Sequence, residues 1–200
     1  MRVFIVRVKW WYLLAILVLA FISVVPQVRT PLLVAVMSRG RLVPIYDVNT
    51  TEKKVAISFD ATWGTDLTDE ILEILKTHEI ITTFFLAGNW VDKHPDYVVK
   101  IASAGHEIGN HSHTHPHMNS LSEQGIAYEL QQNERMIQDL TGQRTTLFRP
   151  PFGEYNNQVI QVATSMGYHT IQWSVDSLDW KNLSSNQIYE RVMSQIQPGS

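Results

Sequence analysis

From residue 55 onward, short apolar runs alternate with stretches whose apolar residues recur every three or four positions. The runs predict strands at Val55 to Phe59, Thr82 to Leu86, Glu107 to Gly109, Thr145 to Phe148 and His169 to Trp173. Between them, Leu67, Ile71, Ile74 and Leu75 repeat at helical spacing behind the capping-type Thr65 and Asp66. A helix from Pro95 to Ala104 is stopped by Gly105. Ser120 with Glu123 reads as a capping box ahead of a longer helix through Ile126, Leu130 and Ile137 that ends near Gly142. Asn156 to Met166 closes at Gly167, and Ser184 with Gln187 opens a last helix through Ile188, Val192 and Ile196. Alternating β and α units of this length imply an α/β fold with a mostly parallel sheet; periodicity leaves an open sheet and a barrel both standing.

The N-terminal part follows another pattern. Arg2, Arg7 and Lys9 precede an uncharged apolar run from Trp10 to Val25, which then meets Pro26 and Arg29. A secretory signal is the competing reading, but the run exceeds a typical signal core and no clear small-x-small cleavage site follows it. Residues 1–29 are therefore expected to form a membrane anchor helix. The positive charge before the run predicts a single-pass protein of the cell membrane with its domain on the extracytoplasmic side. Residues 30–53 read as a tether with an extended piece near Val43 to Tyr46, and residues 54–200 as one domain.

Composition narrows the function. The formal net charge of −3 comes with no basic stripe and no glycine-rich phosphate loop, which excludes nucleic acid as a partner class. There is no cysteine, so any metal must be held by imidazole, carboxylate and water.

Candidate chemistry is concentrated in four segments. Half of the histidines, His111, His113, His115 and His117, alternate between Gly105 and Met118. Neutral imidazole is the commonest metal ligand near neutral pH, and two rings four residues apart can share one face of a turn. A surface histidine tract with adventitious affinity is the bland alternative. Upstream, KKVAISFDATWG (Lys53 to Gly64) reads as a strand delivering Asp60 to a loop that carries Trp63. Downstream, FRPPFGEYN (Phe148 to Asn156) sets Arg149 at a strand end, and VDSLDW (Val175 to Trp180) brings Asp176, Asp179 and Trp180 after another strand. Polar residues at the C-terminal ends of successive strands converge on one mouth in α/β proteins.

These segments, in this order, resemble the polysaccharide deacetylase family, the NodB homology domain of carbohydrate esterase family 4. The resemblance rests on His-Ser-x-x-His from His111 to His115, Arg-Pro-Pro-aromatic-Gly from Arg149 to Gly153, and Asp-x-x-Asp-Trp from Asp176 to Trp180. The lead-in Pro44 to Gly64 is similar to the PdaB-like sporulation branch. The resemblance implies a distorted, incomplete (β/α) barrel, usually of seven strands. It implies a metal-dependent hydrolase that removes N-acetyl groups from a cell-wall glycan, peptidoglycan or a chitooligosaccharide-like chain, with zinc as the divalent metal. His111 and His115 would then be metal ligands and Asp60 the catalytic base. Arg149 would hold Asp60 in place, Asp179 would orient Arg149, and Trp180 would wall the acetyl methyl. Trp63, Phe152 and Tyr155 are candidates for the sugar groove, each with packing as its alternative.

Two departures bear on activity. The family pattern has two adjacent aspartates at the first motif, the second a metal ligand, whereas Ala61 follows Asp60 here. The Leu-x-His that would supply the general acid has no counterpart before Gln197 to Ser200, which reads as a domain truncated at its C-terminal end. The alternative function is a degenerate member that binds glycan without turning it over.

Overall fold

The computed structural model describes residues 40–200. The anchor expected at 1–29 and the start of the tether lie outside the described residues. Among the described residues no helix is long and apolar enough to cross a membrane.

Five strands form one sheet: β1 (Ser58–Ala61), β2 (Thr83–Leu86), β3 (Glu107–Asn110), β4 (Leu147–Phe148) and β5 (His169–Thr170). Their order follows the sequence and every pair is parallel. A parallel pair needs a crossover, and helices fill each one. They are α1 (Thr68–Thr77), α2 (Gly88–Lys93) and α3 (Pro95–Ser103), then α4 (Glu123–Thr141) and α5 (Asn157–Ser165); α6 (Ser185–Met193) follows the last strand. A sheet that only ever steps to the next strand is wound in the manner of a barrel. It contrasts with doubly wound sheets, whose order reverses at a switch point.

The core follows from those crossovers. Leu72 and Leu75 of α1, Trp90 and Val91 of α2, Val98 and Ile101 of α3 and Ile137 of α4 pack with Phe84, Leu86 and Ile108 of the sheet. A second cluster joins Ile126 and Leu130 of α4 to Phe148, Val159, Ala163 and Tyr168. Each fully buried aliphatic or aromatic side chain stabilises the fold by roughly 1.5–3 kcal/mol before chain entropy is subtracted. Beneath the sheet's C-terminal ends, buried Asn133 donates to Leu86 O (2.7 Å) and Asn110 Oδ1 (3.0 Å), bracing β2, β3 and α4 together.

Several boundaries differ from expectation. β1 starts at Ser58 rather than Val55, because Ala56 bonds to Ser200 and the Ile57 carbonyl accepts from Thr82 Oγ1, leaving Val55 and Ile57 exposed. Asp60 accordingly lies inside the strand, level with Phe85, and not in the loop after it. The run expected through Trp173 pairs only to Thr170, plus a parallel bridge from Ile171 to Ile45. That bridge is made by the extended piece near Val43 to Tyr46, so this part of the expected tether adds an edge to the sheet. Among the described residues there are five strands and this bridge where the family implies seven; after β5 the chain turns through Leu178 and Asn182, both at positive φ.

The capping expectations divide. Ser184 and Gln187 form a capping box on α6. Ser120 and Glu123 do not: Ser120 Oγ bonds His117 O in a short 3-10 turn, and α4 begins behind Ser122, which accepts from Gly125 N. α1 starts behind Leu67 with no side-chain cap, its first turn being held by Thr68 N to Thr65 O. Helix α2 was not expected, since six residues are too few for a periodic signal.

Candidate functional site

Asp60 on β1, His111 just past β3 and Arg149 just past β4 meet at the sheet's C-terminal end. Arg149 is 4% exposed: Nη1 donates to Asp60 Oδ1 (2.7 Å), and Nη2 donates to Ser58 Oγ (2.8 Å) and Gln172 O (3.3 Å), while its buried Nε is left without a partner. Ser58 and Asp60 reach it together because alternate residues of a strand share a face. The Phe85 ring lies 4.0 Å from the guanidinium carbon. That ring leaves no room beneath it, since a Cβ at Gly109 would collide with the edge of the Phe85 ring.

His111 is buried, and its Nδ1 lies 2.7 Å from the Arg149 carbonyl. A carbonyl only accepts, so Nδ1 carries the proton and the lone pair is left on Nε2. Burial lowers the pKa of His111, Asp60 opposing more weakly, and the ring is neutral at pH 7. His111 Nε2 and Asp60 Oδ2 thus face each other across 3.8 Å, two electron-pair donors too far apart to share a hydrogen bond.

The loop after β3 carries His115 back over His111, with ring centroids 5.0 Å apart. Ser112 (φ 64) and His115 (φ 58) both adopt the left-handed region, at a cost of roughly 1–2 kcal/mol each, and Ser112 Oγ accepts from His115 N at 3.1 Å. Strain of this kind persists only where the surroundings enforce it. Helix α2 does so on one side: Gly88 N and Asn89 N donate to Ser112 O and His113 O, and a Cβ at Gly88 would stand 2.9 Å from His113 O. Glu129 of α4, nearly buried, does so on the other. Its Oε2 accepts from His113 N (2.9 Å) and Thr114 N (2.7 Å), and Oε1 bonds Thr114 Oγ1 (2.8 Å).

Glu129 is therefore a positioning residue for His115. Glu129→Gln replaces one accepting oxygen by a donor facing groups that already donate. Where His111 and His115 hold a divalent ion, the substitution should lower that ion's affinity about 10–100-fold, the usual cost of losing a group that orients a ligand. Chelator competition measures this, with circular dichroism checking the fold. Unchanged affinity would mean that the loop keeps its shape without the carboxylate.

The donor chemistry suits a divalent ion in part. His111 and His115 offer neutral nitrogens, the pKa of His115 being pushed down to about 4 by burial and then by His111. The facing lone pairs of His111 and Asp60 are an arrangement a cation satisfies. A third dedicated ligand is lacking: no cluster of three His, Cys, Asp or Glu side chains able to hold a metal is present among the described residues.

The other expected site residues are divided between two places. Trp63, 81% exposed, and Phe152, 55% exposed, line a cleft of about 410 Å³ with His115, Thr114, Asn89, Lys93 and His94. Phe152 stands between His115 (4.6 Å, edge-on) and His117 (4.5 Å, stacked). Tyr155 lies elsewhere, its hydroxyl bonded to Tyr46 (3.0 Å) and Arg41 (3.4 Å) on the sheet's added edge. Asp179 does not orient Arg149; it accepts from Ser177 Oγ, because the chain reverses at Leu178, while Ser58 and Gln172 do the work expected of it. Trp180 is 70% exposed beside Lys181 and lines no wall of the cleft. His113 bonds Glu129 through its backbone N–H alone, its buried Nδ1 having no partner, and His117 Nδ1 makes a 3.0 Å contact with Glu154.

Residues 47–171 match the family model for polysaccharide deacetylase. The chain is 36% identical over 157 residues to the uncharacterized protein YlxY of Bacillus subtilis, covering 78% of this chain and 49% of that protein. It is 36% identical over 147 residues to the peptidoglycan-N-acetylglucosamine deacetylase of Bacillus cereus, covering 74% and 54%. Among solved structures, BA3943 of Bacillus anthracis, a CE4 family pseudoenzyme, superposes with a TM-score of 0.77 at 39% identity, over 79% of this chain and 56% of that one. A BA3943 mutant with restored enzymatic activity superposes with the same TM-score at 40% identity, over 79% and 58%. The chain spans about half the length of the curated relatives it matches. A family match over most of the domain, with Asp60, His111, His115 and Arg149 gathered at one mouth, places this chain in the polysaccharide deacetylase family.

Proposed function

We propose that this domain is a metal-dependent N-deacetylase of a cell-wall glycan, with zinc as its ion. The observation that carries the reading is the Asp60 carboxylate, held at Oδ1 by buried Arg149 while Oδ2 faces neutral His111. Arg149 fixes the carboxylate and leaves Oδ2 as the oxygen that takes a proton from water attacking the acetamide carbon. His111, oriented by the Arg149 carbonyl, and His115, held over it by the braced loop, would hold the ion. When bound, a divalent ion supplies Lewis acidity toward the acetamide carbonyl and a lowered pKa for water. Trp63 and Phe152 offer exposed aromatic faces to sugar rings.

The relatives' activity on peptidoglycan supports the substrate class. The membrane location follows the charge before the apolar run at 10–25, and the sporulation setting follows the lead-in from Pro44 to Gly64.

The second reading, a domain that binds glycan without turnover, is favoured by Ala61 and by the likeness to a pseudoenzyme. Acetate release from N-acetylated chitooligosaccharides and peptidoglycan fragments, with added zinc or cobalt, decides between them. Turnover is expected, and Asp60→Asn should reduce it by at least about a hundredfold with the metal retained. Glycan binding with no acetate released under any of these conditions would give the place to the second reading.

A further inference from the structure

The cleft beside His115 has an electrostatic character that the deacetylase reading does not use. Its lining is Thr62, Trp63, Gly64, Asn89, Lys93, His94, Thr114, His115 and Phe152, with no aspartate or glutamate among them. Its volume of about 410 Å³ lies in the range of small-molecule sites. The loop from Thr62 to Gly64 is fixed on one side by buried Trp90, whose indole N–H donates to Gly64 O at 3.1 Å. Asn89 is tied to the histidine loop through Thr114 O, so its amide serves the wall. Lys93, at the end of α2, is the lining's one ammonium. Lys54 and Lys100 are neutralised by Glu52 and Asp69, whereas Lys53, Lys76 and Lys181 stand outside the cleft without an ion-pair partner among the described residues. Among the described residues, Lys93 has no carboxylate within ion-pairing distance.

We infer that this cleft is a subsite for a carboxylate-bearing sugar unit next to the one whose acetamide reacts, with Lys93 as its specificity determinant. The inference rests on the deacetylase reading for the identity of the neighbouring sugar. Trp63 and Phe152 supply apolar faces for pyranose C–H surfaces and do not distinguish one N-acetylhexosamine from another. Lys93 does, because an unpaired cation in a cleft without carboxylates favours an anionic substituent. A cell-wall glycan offers such a carboxylate from two sources, the free lactyl ether of a peptide-free muramic residue or the acidic residues of its stem peptide.

The test is a binding measurement, made by calorimetry at low salt on the Asp60→Asn variant so that no substrate is consumed. Three probes are compared: the N-acetylglucosamine tetramer, the peptide-free alternating N-acetylglucosamine–N-acetylmuramic acid tetrasaccharide, and the same tetrasaccharide bearing stem peptides. An acidic probe should bind about fivefold more tightly than the neutral tetramer, the upper end for one solvent-exposed ion pair. Lys93→Met should remove that difference and Lys93→Glu should invert it, with the neutral tetramer's affinity held within about twofold and the thermal midpoint unchanged. Half-molar salt should also erase it. Preference for the peptide-free probe assigns the lactyl carboxylate, and preference for the peptide-bearing probe the stem. Equal affinity for all three probes, or Lys93 variants that weaken all three alike, would overturn the inference. Measuring binding without turnover keeps it separable from the catalytic reading, because absent acetate release in the wild type leaves the calorimetric result standing.

Discussion

Arg149→Met should destabilise the domain by about 3 kcal/mol and, in an active preparation, cut acetate release by about a hundredfold. Breaking a buried ion pair from one side costs roughly 3–5 kcal/mol because the partner's charge is left uncompensated. The low end applies here, since the Asp60 side chain is 32% exposed and water takes up part of the loss. Methionine fills much of the space beside Phe85 and Trp173, so little of the effect is cavity formation. Arg149→Lys separates charge from geometry. An ammonium restores a positive charge but does not reproduce the planar fork that serves Asp60, Ser58 and Gln172 together. It should recover part of the stability and little of the turnover, because a base whose carboxylate swings loses the benefit of its position. Urea denaturation and acetate assay measure the two effects. A loss below about 1 kcal/mol for Arg149→Met would show that Asp60 is held by something else.

How much of this was legible in the sequence depends on the range of the interactions. The strand and helix alternation is written in local periodicity and was read from it. So were the stops at Gly105, Gly142 and Gly167, all of which take positive φ. The helix α2 was not, because its fixing contacts are tertiary: Trp90 is buried in the core cluster, and Gly88 is required by the approach of His113 from the next crossover. Asp60, His111, His115 and Arg149 were legible because their spacing within short motifs survives any fold. Glu129 carries a signal of its own, a carboxylate on the same helical stripe as Ile126, Leu130, Asn133 and Ile137. A charge on a buried stripe needs partners, and here they are the backbone of the histidine loop. Asp179 and Tyr155 show the reverse: each sits in a suggestive motif, but where its side chain goes is decided by a turn at Leu178 and by the edge segment carrying Tyr46.

His111→Ala and His115→Ala should each abolish stoichiometric zinc binding, whereas His113→Ala and His117→Ala leave it nearly intact. The first two are neutral rings in ring-to-ring contact beside Asp60, whereas the His113 ring packs against Gly88, its loop bond to Glu129 coming from the backbone N–H, and His117 contacts Glu154. Protons compete with zinc for a nitrogen only below its pKa. With that of His115 brought down to about 4 and that of His111 also lowered by burial, proton competition should set in on the acid side of the usual imidazole range, and affinity should fall as pH approaches 4. Ala61→Asp should then tighten zinc by more than the roughly 10–100-fold that an orienting group alone is worth, since it adds a whole oxygen ligand. Residue 61 ends β1 between Asp60, which reaches His111, and Thr62 and Trp63, which share a wall with His115. A carboxylate there would free Asp60 Oδ2 for proton transfer, so acetate release should rise with affinity. The opposing consideration is that Ala61 packs with Phe59 against the helical core. If its face does not change at the strand end, Ala61→Asp instead buries an unpaired carboxyl and lowers stability by about 1–3 kcal/mol with zinc affinity unmoved. That result would assign Asp60 itself as the oxygen ligand, and Asp60→Asn would then lose metal and turnover together.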